Sequence, residues 1–262
     1  MSGQGDDAVA RNLVWATAFL AACLFLIVPL GAIDARTLDG VGVWSKPFKF
    51  AVSLTIHFVT LAMLVRLLPE LVRRGPTLRI FTALAVAAAV FEMLYICLQA
   101  MRGRRSHFNF ETWPEIYAYQ AMGVGAVLLV LLPLVMGVLI LRRTPDEGSS
   151  YRVGAAWGMV ASAVLTLIVA GYMSSTGSHW VGQTAGDATG LPLMGWSREV
   201  GDMRPAHFVA SHLMQGLPLL GWLIDRTGMD GRWLVKLALA VGTVLCGALF
   251  VQALVGMPMV GM

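Results

Sequence analysis

The sequence predicts an all-α fold, a polytopic integral membrane bundle with seven transmembrane helices, and three observations carry the prediction. Of 262 residues, 57% are apolar and only 13% are charged, with a mean hydropathy of +0.72. A soluble domain carries about 25% charged residues, so this chain has too few to clothe a water-facing surface. Apolar runs of about 20 residues, the length that crosses a bilayer as a helix, recur along the chain. The charges that do occur fall mostly between these runs, where they act as topology signals. A soluble enzyme, a disordered chain and a fibrous repeat are all excluded by the same figures.

The runs can be taken in order. Between Arg11 and Asp34 lie 22 uncharged residues, the first predicted span. A shorter run between Lys49 and Arg66 reaches spanning length if Lys46 and Lys49 snorkel outward. The third run is interrupted by Glu92, the fourth lies between Glu115 and Arg142, and the fifth follows Arg152. The sixth carries His207 and His212, and the seventh begins near Trp233. The expected spans are residues 12–32, 47–68, 79–101, 116–141, 153–174, 205–224 and 233–255, in one transmembrane domain covering 1–262. A long loop, 175–204, separates the fifth from the sixth.

The amino terminus, MSGQGDDAVARN, lacks the basic region of a cleaved signal peptide, so the first span is expected to remain as an anchor. With seven crossings, the amino-terminal side holds 11 Lys and Arg and the other side eight. That difference predicts an amino terminus on the inner, cytoplasmic side and a carboxyl terminus on the outer side, which in a bacterial inner membrane is the periplasm. The periplasmic loops are the distinctive ones: DARTLDGVGVWSKPFKF, RGRRSHFNFETWPE and the 175–204 segment. The net charge of +4 reflects basic residues that flank spans, which argues against a nucleic-acid partner. Cys23, Cys97 and Cys246 lie far apart with no CxxC, and read as small buried thiols.

Helical arithmetic at about 100° per residue finds polar stripes. Lys46, Lys49, Ser53, His57 and Thr60 fall within about 80°, as do Glu92, Tyr95, Gln99 and Arg102. His207, Ser211, His212 and Gln215 spread over about 140°. At 1.5 Å per residue, His57, Glu92 and His212 lie about 10–16 Å below the same face, consistent with one inward-reaching pocket. An ionisable group at Glu92 is costly near the bilayer centre unless paired or solvated, which makes it a functional candidate. The 175–204 loop has six glycines together with Trp180, Leu191, Leu193, Met194 and Trp196, and is expected to form a lid or re-entrant hairpin over the pocket.

At WSKPFKF, QAMRGRRSHFN and GWSREVGDMRPAHFVASH the chain resembles a bacterial family of seven-span membrane proteins for which no reaction is established. The resemblance covers most of the chain and implies the fold and a bacterial membrane location. Its prominent positions correspond to Lys46, Pro47, Lys49, Gln99, Arg102, Ser106, His107, Asn109, Trp196, Asp202, Arg204, His207, His212 and Gln215. A weaker likeness rests on Ser53 and His57 as SxxxH, Glu92, and two later histidines. In these the chain is similar to the zinc hydrolases of the alkaline ceramidase and adiponectin-receptor superfamily. It departs from their HxxxH, since His207 and His212 are five apart, and from their Asp, since the acid is Glu.

Four readings follow from the residues. In the first, His57, His107, His207 and His212 supply ligands for haem b or another redox transition metal, with Lys46, Lys49, Arg102, Arg104, Arg105 and Arg204 holding propionates. His57 and His212 are expected to be the buried pair, and His107, His179 and His207 to lie nearer the surface. The second is a zinc-dependent lipid hydrolase using Glu92 and Ser53. The third is a binding protein or transporter for an anionic small molecule or lipid, whose cofactor or ligand contacts would be Lys46, Lys49, Gln99, Arg102, Arg105, Asn109, Arg204 and Gln215. The fourth is an accessory subunit whose polar stripes meet membrane partner subunits. A retinal protein is excluded, because Lys236 sits at the start of the last span, and neither GxSxG nor GxxxxGK[ST] occurs.

Overall fold

Each apolar run forms a helix, and local chemistry sets where the helix starts and stops. A computed structural model describes residues 7–143, 148–184 and 186–261. Helix α1 (Ala8–Ile33) is capped by the Asp7 carboxylate, which accepts from the Ala10 amide at 3.1 Å and from Arg73 at 2.7 Å. A two-residue hairpin, β1 (Thr37–Leu38) with β2 (Val41–Gly42), leads into α2 (Ser45–Leu64). A short α3 (Glu70–Arg73) precedes α4 (Pro76–Arg102), which opens on Pro76 and ends where Gly103 turns left-handed at φ 66°. Helix α5 (Trp113–Arg143) and α6 (Ser150–Thr176) follow; Gly177, at φ 65°, ends the latter as Gly103 ends α4. Strands β3 (Trp180–Val181) and β4 (Gly201–Asp202) pair antiparallel, and α7 (Arg204–Arg226) and α8 (Arg232–Leu254) complete the chain. Helices satisfy their own backbone polar groups, which is what hydrocarbon demands of a spanning segment.

Six of these helices, α1, α2 with its continuation to Leu67, α4, α5, α6 and α8, are long and apolar enough to cross a membrane. The protein is a multi-pass helical membrane protein. The run expected as the sixth span is a helix of 23 residues, but it falls short of the other six in apolar character because His207, Ser211, His212 and Gln215 occupy it. Even so, α7 lies antiparallel along α6 from end to end. Asp225 accepts from the Ser150 and Tyr151 amides at 2.8 and 3.0 Å, and Ser162 donates to the Ser211 carbonyl at 3.1 Å.

Glycines make that approach possible. A Cβ on Gly154 would stand 2.3 Å from the Leu217 carbonyl oxygen, and one on Gly158 2.8 Å from that of Leu213. Small residues at such seams let backbones meet where no hydrophobic drive exists between helices. On the other side of the molecule α1, α2, α4 and α5 share a core of Leu13, Leu20, Phe58, Leu61, Met93 and Met136. Helix α8 turns Leu237, Val241, Val244 and Val251 outward, as a lipid-facing surface does.

Gly154→Ala is expected to force α6 and α7 apart and to destabilise the protein by about 1–3 kcal/mol, the ordinary cost of overpacking. Gly171→Ala, where nothing lies within 4 Å, is expected to be neutral or to stabilise by up to about 1 kcal/mol. Thermal unfolding in detergent compares the two.

Candidate functional site

Helix α2 divides its surface three ways. Pro47, Ala51, Leu54 and Phe58 face the core. About 100° per residue places Lys46, Phe50, Ser53 and His57 on a second face, and a third runs from Trp44 and Phe48 through Ser45 to Lys49, which lies at its edge about 60° from Lys46. Through Lys46 and Phe50 the second face meets Glu92 of α4, His107 of the 103–112 loop and His179 beside β3, and the space among them is termed the chamber.

Carboxylates pair most of the arginines at the mouth. Arg105 grips Asp39 through Nε and Nη2, at 2.9 and 2.5 Å. Asp39 sits at φ 55° in the tight turn of β1–β2, and its carbonyl accepts the Asp187 amide at 3.1 Å. Arg204 donates to Asp202 at 2.7 Å, to Asp187 at 2.9 Å and to the Gly195 carbonyl at 2.7 Å. Arg104 bonds Glu115 at 2.9 Å, while Arg102 bonds Gln99 Oε1 at 3.0 Å. Gln99 and Asn109 both donate to the Arg105 carbonyl, at 3.1 and 2.9 Å. Thus Gln99, Arg102, Arg105, Asn109 and Arg204 brace the loops.

Lys46 and Lys49 differ from them. Lys49 donates to the Met194 carbonyl at 3.1 Å. The half-buried Lys46 has no hydrogen-bond acceptor among the described residues, and its ammonium lies 5.9 Å from the Phe50 ring. It is within electrostatic reach of Glu92, His107 and His179. A run of rings lines this space. His107 meets Phe50 at 5.3 Å and Tyr119 at 6.2 Å, Phe108 meets Tyr119 at 5.4 Å and His179 at 6.1 Å, and His179 meets Trp180 at 4.2 Å. Arg204 closes the run over Trp180 at 5.9 Å. Under the lid, His179 Nε2 and Trp180 Nε1 are buried with no hydrogen-bond partner.

Deeper, Glu92 is 3% exposed and packs beside Gly125 of α5, whose missing side chain makes room for its carboxylate. One turn along lies Leu129, whose carbonyl receives no N–H from Pro133 a further turn on. The His57 ring takes that carbonyl as its backbone acceptor, and its Nε2 is left buried and unpartnered.

The stripes on α2 and α4 therefore meet across α5. That of α7 stands apart: His212 stacks on Phe208 at 4.0 Å and shares its Nδ1 with the Phe208 carbonyl and Ser211, and Phe208 leans on Trp196. His207 lies within electrostatic reach of His212, and Gln215 Oε1 is buried without a partner. Ser53 is exposed on its helix. Among the described residues no group of three or more His, Cys, Asp or Glu is placed to hold a metal ion, and the three cysteines are free.

His107 and His179, expected near the surface, are instead drawn in by the lid and the aromatic run. Burial holds the His107 imidazole well below its ordinary range, with Lys46 adding repulsion. It also brings His179 down to about 4, with Arg204 as the next cause. The parts that residue types alone did not reveal are Phe50, Tyr119, Asp187 and the Asp39 turn. The turn had a readable signal, since Asp39-Gly40 is the Asp-Gly pair favoured in tight hairpins.

Both imidazoles take up a proton near pH 6.5 when unfolded but stay neutral in the fold. Their contribution to stability is therefore complete above pH 6.5 and is lost as the pH falls below it, for His179 toward about 4. Thermal unfolding between pH 6.5 and 4.5, above the range of the paired carboxylates, should fall with pH for the wild type, and the slope should flatten in a His107→Gln, His179→Gln double variant. Comparisons with protein-family models, with curated proteins and with solved structures find no match to this chain.

Proposed function

We propose that this is a seven-crossing bacterial inner-membrane protein that binds an anionic small molecule or headgroup in the lidded chamber, on the periplasmic side. The seventh crossing is α7, which keeps pace with α6 along its whole length. The side is assigned by the Lys and Arg distribution, 11 against eight. One observation carries the binding reading: Trp180 Nε1–H and the Nε2 of His179 in its N–H tautomer are buried without partners, and the Lys46 ammonium has no acceptor among the described residues. Buried donors are nearly always satisfied, because an unmade bond costs about 1–3 kcal/mol. An anion supplies acceptors for all three, and the surrounding arginines are already neutralised by carboxylates. Lys46 provides the charge, and the rings provide a dry wall.

The experiment is to extract the protein in mild detergent, denature it and identify released small molecules by mass spectrometry. Wild type is expected to release an anionic species near one per chain, and Lys46→Met to release at least about tenfold less, one charge-assisted contact being worth about 1.5–3 kcal/mol. Equal release from a folded Lys46→Met variant overturns the reading.

A redox metal or haem is a second reading, and His57 favours it. A ligating imidazole is typically held by a backbone carbonyl on one nitrogen while the other is free, as Leu129 and Nε2 are arranged here. A bound metal would supply electron transfer, and His57 would be its ligand from α2. Visible absorption and metal content of the purified protein decide it: a Soret band or bound metal lost in His57→Leu supports it, and neither in the wild type removes it. The zinc-hydrolase reading draws no support from the donor set, since no three ligands converge among the described residues.

A further inference from the structure

The third face of α2 borders a separate cleft of about 490 Å³, between the end of α1, the β1–β2 hairpin and the tip of the lid. Its walls are apolar, with Ile27, Val28, Phe48, Leu191, Pro192 and Leu193 prominent. Three charged side chains line it, and two are already occupied. Asp34 holds Arg36 at 2.7 Å and the Trp44 indole at 2.8 Å, and Asp187 holds Arg204. Lys49 is the third; it gives one N–H to Met194 and has no carboxylate within ion-pair distance among the described residues. The wall therefore combines apolar surface with one cation that has no direct carboxylate partner among the described residues.

Position decides what such a wall receives. The cleft lies at the last turn of α1 and the first turn of α2, where hydrocarbon gives way to headgroups. It is continuous with a lipid-facing surface: Phe25 and Leu26 are 81% and 67% exposed, and Val28, within the cleft, is 54% exposed. Leu193 adds an independent observation. A leucine at φ 67° is strained, and this one holds its side chain outward at 78% exposure beside the cleft. In water that placement is unfavourable twice over, once for the backbone and once for the apolar surface. At the edge of the bilayer the side chain is solvated by acyl chains.

We infer that this cleft is a site for an anionic lipid of the surrounding bilayer, its headgroup phosphate on Lys49 and the start of an acyl chain along Val28, Phe48 and Leu193. The lid is thereby docked on the membrane surface as well as on the helices. The site stands apart from the chamber, since Lys49 lines this cleft and Lys46 does not, and it does not rest on the proposed ligand there.

Native mass spectrometry of the full chain, equilibrated with nanodiscs of phosphatidylglycerol and phosphatidylcholine in equal amounts, tests it. Wild type is expected to retain phosphatidylglycerol about fivefold over phosphatidylcholine, the weight of one lysine at a lipid surface. Lys49→Gln is expected to bring the ratio near one. Leu193→Gly keeps the backbone turn and removes the apolar wall, so total lipid retained should drop while the melting temperature stays the same or rises. Lys46→Met, on the chamber face, should leave the lipid preference intact. Equal retention of the two lipids by wild type, or an unchanged preference in Lys49→Gln, overturns the inference.

Discussion

The arrangement of the loops depends on one guanidinium. Arg204 opens α7, and from there it binds Asp202 of β4, Asp187 of the lid and the Gly195 carbonyl at once. Asp202 in turn accepts the Ser197 amide at 2.8 Å, the Asp187 amide reaches Asp39, and Asp39 holds Arg105. The lid, the β1–β2 hairpin and the 103–112 loop are thus tied into one network centred on a side chain that is only 21% exposed. Removing one partner from such a buried pair costs about 3–5 kcal/mol, because the other is left charged and dry. The lid is long, but it is not loose.

That network also explains a division of labour among the basic residues. Five arginines around the mouth are equally suited, by type, to binding an anion or to bracing a loop. Geometry sorts them: Arg36, Arg104, Arg105 and Arg204 each have a carboxylate of their own, and Arg102 has Gln99 and Glu115. The lysines on α2 do not. A compact ammonium on a flexible stem is the poorer brace, since it lacks the planar fork that grips a carboxylate twice. What remains for a ligand is therefore carried by α2 and by the rings beneath the lid.

The fold was legible because its signal is spread over hundreds of atoms: long apolar runs separated by charge have few alternatives in a bilayer. The stripes on α2 and α4 were legible for a similar reason, since helical periodicity converts spacing into direction. Where periodicity stops, so did the reading. His107 and His179 sit in loops, and only the Arg204 network and the aromatic run place them inside. The expectation that α7 would add His212 to the same pocket had no such basis, because periodicity orients a stripe without saying which neighbour it meets. His212 meets its own helix, at Phe208 and Ser211. The Leu129 carbonyl was the least visible of all, for it becomes an acceptor only through a proline four residues later, and it finds His57 only once α2 and α5 are side by side.

The glycine seam between α6 and α7 has a consequence for how the protein is made. A helix carrying two histidines, a glutamine and a serine on its surface partitions poorly into hydrocarbon alone, whereas α6 partitions well. With Gly154, Gly158 and Gly221 bringing the backbones together, α7 can shelter against α6 before either is surrounded by lipid. If α7 is the seventh crossing, as proposed above, the two enter the bilayer as the arms of one hairpin, and for α7 insertion and tertiary packing are the same event.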